Sequence, residues 1–315
     1  MSDAIVEVID LWKSFDANDV LRGLTFSVAR GETLVIMGGS GSGKTVLLRH
    51  VAGLLQQDRG QVRTFGINIE HLGEEELLPI RRRMGYVFQG GALFDSLSTY
   101  ENVAYPLREH TSLREDEIRD RVVRHLGLVG LGPDILPLLP AELSGGMRKR
   151  VGIARALTVE PEILLFDEPT AGLDPTNSRM VADLIGQLRT GVCDTAIVVT
   201  HDLDLTRAVA DRVAILIEGQ FAALGALDAV LASDDAAVQA FLSGDMGSSG
   251  ASRGPRHSYE GGSRPPRTPP APALGAPRAG CADAPVGCAD APVGCGRTGQ
   301  SRGAPRPPDS STGSR

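Results

Sequence analysis

A chain of 315 residues with 32 basic and 39 acidic side chains carries a formal charge of −7, a balance that disfavours non-specific nucleic-acid binding by the folded body. No run approaches the roughly 18 apolar residues of a membrane span, and the start, Met1-Ser2-Asp3-Ala4-Ile5-Val6-Glu7, lacks the basic and long apolar regions of a secretory leader. Beyond Gly244 the composition shifts to Gly, Pro, Ser, Arg and Ala, with nine Arg against five acidic residues. That stretch holds too little apolar area to offset the entropy of ordering it, so residues 1–243 are expected to form one domain and 244–315 a disordered tail. Cys193 is the one cysteine before the tail, which fits a reducing, cytosolic compartment and no disulfide framework.

In chain order, residues 5–11 alternate apolar and polar side chains and read as a strand, as do 24–29. Residues 33–37, Thr-Leu-Val-Ile-Met, are continuously apolar, as a parallel strand buried on both faces requires. They run into Gly38-Gly39-Ser40-Gly41-Ser42-Gly43-Lys44-Thr45, and a helix follows from Val46. Residues 86–88 form a brief strand ending at Gln89, and 99–132 are mostly helical. Residues 163–166, 195–200 and 213–217 read as further buried strands, separated by helices near 176–190 and 203–210. Strands alternating with helices imply an α/β sheet, with a helical subdomain set into it at about 90–160. In the tail, a seven-residue unit containing Cys281 recurs at Cys288 and begins again at Cys295; its spacing matches no metal site and reads as duplication.

Residues 38–45 fit G-x-x-x-x-G-K-[ST] between a strand and a helix, the context in which glycine-rich backbone cradles phosphates. Lys44 supplies a compact charge to the outer phosphates and the Thr45 hydroxyl can ligate Mg²⁺. With three Lys against 29 Arg in the chain, a Lys at this position is not background. Asp167-Glu168 ends an apolar strand, where α/β sheets present ligands. Asp167 suits Mg²⁺ and Glu168 suits a general base for a lytic water; helix capping is the alternative for this pair. His201 follows another strand and either bonds a γ-phosphate or is structural. Leu143-Ser144-Gly145-Gly146-Met147 opens a second helix, with Ser144 as N-cap and Met147, Val151, Ala154 and Leu157 along one face. Arg148, Lys149 and Arg150 crowd its first turn, where cations are disfavoured. That cost is explained if the helix end serves a polyanion; a capped core helix is the plainer alternative.

Over residues 5–243 these motifs, in this order and spacing, resemble the ATP-binding subunits of ABC transporters. In that likeness the phosphate loop is the Walker A motif, Gln89 the Q-loop, residues 143–147 the signature and 163–168 the Walker B motif. Residues 171–174 become the D-loop, ending in Asp174, and His201 the switch histidine. Phe15, in Leu11-Trp12-Lys13-Ser14-Phe15, matches the aromatic that stacks on adenine. The resemblance implies a P-loop NTPase (RecA-like) core with a parallel sheet, an N-terminal antiparallel β subdomain and the inserted helical subdomain. It also implies a head-to-tail homodimer around two ATP molecules with Mg²⁺ at Thr45, Gln89 and Asp167. Glu168, His201 and Gln89 would be catalytic. Gly38, Gly39, Ser40, Gly41, Ser42, Gly43, Lys44 and Thr45 would hold one subunit's nucleotide, and Ser144, Gly145 and Gly146 the partner's. A finer likeness, carried by residues 88–97, 100–110 and Met147 in place of the usual Gln, is to the Mla/Mce-associated ATPases. It implies phospholipid or other lipid transport across a bacterial envelope with an integral membrane permease and an MCE-domain protein. The chain would sit on the cytoplasmic face of the inner membrane, peripheral through the permease, with residues near Tyr100-Glu101-Asn102 facing it. Another cargo, such as an amino acid or a drug, is the alternative.

Overall fold

Two antiparallel strands, β1 (Ala4–Phe15) and β2 (Asn18–Ala29), open the chain, and β3 (Thr33–Gly38) leads into α1 (Lys44–Val51). Next come β4 (Arg59–Thr64), β5 (Ile67–Asn68), α2 (Glu74–Arg81) and β6 (Met84–Val87). A helical segment follows, made of α3 (Thr99–His110), α4 (Glu115–Leu128) and α5 (Gly145–Leu157). The chain then alternates through β7 (Ile163–Asp167), α6 (Pro175–Gly191), β8 (Ala196–Thr200), α7 (Leu203–Val209) and β9 (Arg212–Ile217). The described residues end with β10 (Gln220–Ala226), α8 (Leu227–Leu231) and α9 (Ala236–Leu242). The structure is a computed structural model and describes residues 4–243. The expected disordered tail at 244–315, with its cysteine repeat, lies outside the described residues.

The strands form two sheets. One is antiparallel, in the order β2-β1-β4-β5; the other has the order β10-β9-β3-β8-β7-β6 and is parallel except for β10. The larger sheet separates two apolar cores, and strand periodicity sorts its side chains between them. Leu34, Ile36, Ile163, Leu165, Ile197 and Val199 face the antiparallel sheet and α1. Val35, Met37, Leu164, Phe166, Val198 and Ile215 face the helical side. Both faces are covered, which is why these strands are continuously apolar in sequence.

The helical segment breaks at residues 111–114, where Thr111 leaves α3 in an extended conformation and Glu115, Asp116 and Glu117 start α4 with favourable acidic charge. Asn102 does not face a partner as expected. It is fully buried, and its amide donates to the Phe94, Leu97 and Ser98 carbonyls while accepting from the Phe94 N–H, pinning the loop before α3. Glu101 closes a capping box with Ser98.

Two buried histidines, His50 on α1 and His125 on α4, each donate Nδ1–H to the carbonyl one turn earlier, Val46 O and Arg121 O, both at 2.7 Å. Burial pulls both rings below the ordinary value of 6.5. The unfolded chain therefore takes up protons below that pH that the folded rings refuse, and stability falls as pH drops. Urea midpoints are expected to decline from pH 7 to about 5.5 on this account. The decline should flatten in a His50→Leu/His125→Leu double variant; an unchanged slope there would rule these rings out.

Candidate active site

The C-terminal ends of the parallel strands carry the candidate residues side by side. Across the sheet they run from Gly38 on β3, through His201 after β8, to Asp167 on β7 and Gln89 beyond β6. Between β3 and α1 the loop turns through Gly41 and Gly43, which occupy left-handed backbone at φ +79° and +103°. A Cβ on Gly38 would stand 2.5 Å from Ser42 Oγ and 2.6 Å from the Leu216 carbonyl, so the loop closes tightly against β9. At Gly39 and Gly41 such an atom would meet nothing within 4 Å, so the outer side of the loop is open. No side chain caps α1, and Ser42 Oγ is buried without a hydrogen-bond partner. Free first-turn N–H groups and an orphaned hydroxyl around open space suit an anion with several acceptor oxygens.

Lys44, buried, donates from Nζ to the Gly38 and Gly39 carbonyls at 2.8 and 3.0 Å and lies 3.2 Å from Glu168 Oε1. The other Glu168 oxygen accepts from His201 Nδ1 at 2.8 Å, and the His201 ring is largely exposed. One carboxylate thus joins a phosphate-loop cation to an imidazole. Glu168 adopts φ +48°, a left-handed conformation that costs a non-glycine residue about 1–3 kcal/mol and that the surroundings must hold. Beside it, Thr45 Oγ1 donates to Asp167 Oδ1 at 2.8 Å, and the Tyr86 hydroxyl approaches Oδ2 at 3.4 Å. Burial pushes the Asp167 carboxyl above its ordinary range against these two hydrogen bonds, and the neighbouring Glu168 adds to the rise. A cation at that carboxylate would relieve it. Thr45 and Asp167 are the hard oxygen donors that Mg²⁺ takes. No cluster of three or more His, Cys, Asp or Glu suited to a metal exists among the described residues.

The second candidate helix end is built as expected in one respect and not in another. Ser144 caps α5, accepting from the Met147 N–H at 3.2 Å, while Val151, Ala154 and Leu157 are buried and Met147 packs beside them. The crowded cations, however, are no sign of a polyanion. Arg148 turns back to the Leu143 carbonyl at 2.8 Å, Arg150 reaches the Val129 and Gly130 carbonyls, and Lys149 reaches the Glu168 carbonyl at 3.0 Å. Each thereby satisfies a backbone oxygen. Gly145 and Gly146 pack against Leu173 and Asn177; a Cβ on Gly146 would sit 2.5 Å from Asn177 Oδ1. Asp174 caps α6, accepting from the Thr176 and Asn177 N–H groups and from the Asn177 amide. Chiefly the hydrogen bond from that amide holds the Asp174 carboxyl below its ordinary range.

Lys44, Thr45, Asp167, Glu168 and His201 are therefore brought together. Among the described residues, no hydrogen bond joins Ser144, Gly145 or Gly146 to the phosphate loop of the same chain. Phe15 stands at the end of β1, 43% exposed with Lys13 Nζ 5.3 Å from its ring centre, and Gln89 is exposed. Two neighbours escaped the sequence reading. Tyr86 is signalled only by its place one residue before the strand end. Lys149 is separated by 19 residues from the carbonyl it meets.

A model of the family described as ABC transporter matches residues 21–171. The chain is 42% identical over 239 residues to the probable ribonucleotide transport ATP-binding protein mkl of Mycobacterium tuberculosis, covering 76% of this chain and 66% of that one. It thus spans just under two thirds of that relative. It is 39% identical over 245 residues to the intermembrane phospholipid transport system ATP-binding protein MlaF of Haemophilus influenzae, covering 78% and 92%. The ATP-binding cassette MJ0796, solved as a dimer in a post-hydrolysis state bound to ADP and Pi, superposes with TM-score 0.67 at 32% identity, over 70% of this chain and 98% of that one.

Proposed function

The chain belongs to the ABC transporter family of ATP-binding cassettes, and from that premise we propose that it hydrolyses ATP as one half of a head-to-tail pair of copies and drives lipid transport across a bacterial envelope. The observation that carries this reading is the grouping of Lys44, Thr45, Asp167, Glu168 and His201 at the strand ends, with the Ser144–Gly146 helix end unengaged by its own phosphate loop.

Phosphates occupy the open side of the 39–43 loop, and Lys44 exchanges Glu168 for them. Phe15 offers its exposed ring to the adenine. Thr45 and Asp167, with Gln89, are the residues that would hold Mg²⁺, which when bound neutralises charge on the β- and γ-phosphates. The Glu168 carboxylate accepts a proton from water as the water oxygen bonds to the γ-phosphorus; the bond from that phosphorus to the β–γ bridging oxygen breaks, and ADP leaves with that electron pair. His201 orients the Glu168 carboxylate through Nδ1 and presents the rest of its ring to the γ-phosphate. The partner copy contributes Ser144, Gly145 and Gly146 at the positive end of α5, and Asp174 shapes the adjoining D-loop.

MlaF is named for intermembrane phospholipid transport, which supports a lipid cargo together with an integral membrane permease and an MCE-domain protein. No described helix is long and apolar enough to cross a membrane, so attachment to the cytoplasmic face of the inner membrane runs through the permease. The name of mkl, a probable ribonucleotide transport protein, favours a second reading, a ribonucleotide cargo. Purification in detergent through a tag on this chain separates the two. Integral membrane subunits, an MCE-domain protein and bound phospholipid are expected. ATPase stimulation by ribonucleotides with none by phospholipid vesicles would replace the lipid reading with the other.

A further inference from the structure

One buried cation has no part in the mechanism above. Lys149 sits in α5, five residues after Ser144, and is 7% exposed. Its Nζ donates at 3.0 Å to the backbone carbonyl of Glu168, which also accepts the Ala171 N–H at 3.2 Å. Those two donors meet the carbonyl of the residue whose φ is +48° and whose side chain spans Lys44 and His201. A charged donor makes a shorter and stronger hydrogen bond than a neutral one, and this one crosses from the helical segment to the end of β7. Arg148 and Arg150, on either side, bind carbonyls of other loops. Alongside the apolar packing of α5 on β7, the hydrogen-bonded link between this helix and the acidic strand end therefore runs through Lys149.

We propose that Lys149 is a positioning residue that ties the backbone of Glu168 to the helix bearing Ser144–Gly146, so that the general base of one site is set by how the signature helix engages the nucleotide of the other. Burial pushes the Lys149 ammonium down to about 8, with Glu168 and Asp167 pulling the other way. The inter-site part of this assignment rests on the composite site proposed above; the tie to Glu168 does not.

The test is ATP turnover by complexes purified through a tag on the full-length chain. Lys149→Met should lower kcat by about 10²-fold, the scale of a misplacement near 1 Å, with KM nearly unchanged. Lys149→Arg, which keeps a charged donor, should recover most of the rate. Because Lys149 acts through Glu168, adding Lys149→Met to Glu168→Gln should slow turnover little further. Should Lys149→Met fail to fold, Lys149→Gln removes the charge with less disturbance and is read in the same way. Wild-type kcat, a rise in KM alone, no rescue by Arg, or a full extra loss on top of Glu168→Gln would each overturn the assignment. ATP-driven dimers that form with Ser144→Arg would remove the composite site but leave the Lys149–Glu168 cycle standing.

Discussion

Glu168→Gln is expected to slow ATP hydrolysis by about 10²–10⁴-fold, the usual contribution of a general base, equivalent to about 3–5 kcal/mol of barrier. Gln has nearly the same volume and can keep its one acceptor oxygen toward Lys44 while its NH2 group donates to the His201 ring nitrogen, so the local packing survives. What it loses is the ability to take a proton. It also removes the carboxylate that holds Lys44 at 3.2 Å before phosphate arrives. ATP affinity should therefore equal or exceed that of the unaltered protein, and ATP-bound dimers should accumulate. Near-normal turnover by this variant in the purified complex would reject Glu168 as the base.

Ser144→Arg should abolish ATP-driven dimerisation while each copy still binds nucleotide. Ser144 is exposed, and its side chain makes one intrachain hydrogen bond among the described residues, the cap to the Met147 N–H. Losing the cap alone costs about 1 kcal/mol, too little to dissolve a stable interface. Ser144→Asp separates the two effects, since Asp caps as well as Ser but sets a negative charge where the partner's phosphates would lie. Both variants should sediment as monomers with ATP in a Glu168→Gln background. Dimers formed by Ser144→Asp would mean that this helix end meets no phosphate.

The parallel strands were legible because burial on both faces writes an unbroken apolar run, as in residues 33–37, 163–166 and 196–200. The edges were not. In β4 only Val62 and Thr64 turn fully inward, and β10 alternates exposed with half-buried residues, so neither stands out from a polar loop. The phosphate loop and the acidic pair follow from local spacing, and the structure gathers them with His201. Their interconnection does not follow, because Lys44, Glu168 and His201 meet only when three strands stack in the order β3-β8-β7. Nothing near Glu168 announces its left-handed backbone; the donors that meet its carbonyl include a lysine 19 residues upstream. The basic run at 148–150 misled for the same reason. Charge at a helix start looks costly until the carbonyls it reaches are seen, and those belong to segments distant in sequence.

Lys44 arrives at its task already satisfied by two carbonyls and a carboxylate. An incoming triphosphate must outbid an internal stand-in, so its hold reflects a difference between two rival embraces. In the proposed cycle the same carboxylate would close over the lysine once the spent nucleotide had left. Each reloading would then start from one arrangement, with Lys44 held by Gly38, Gly39 and Glu168.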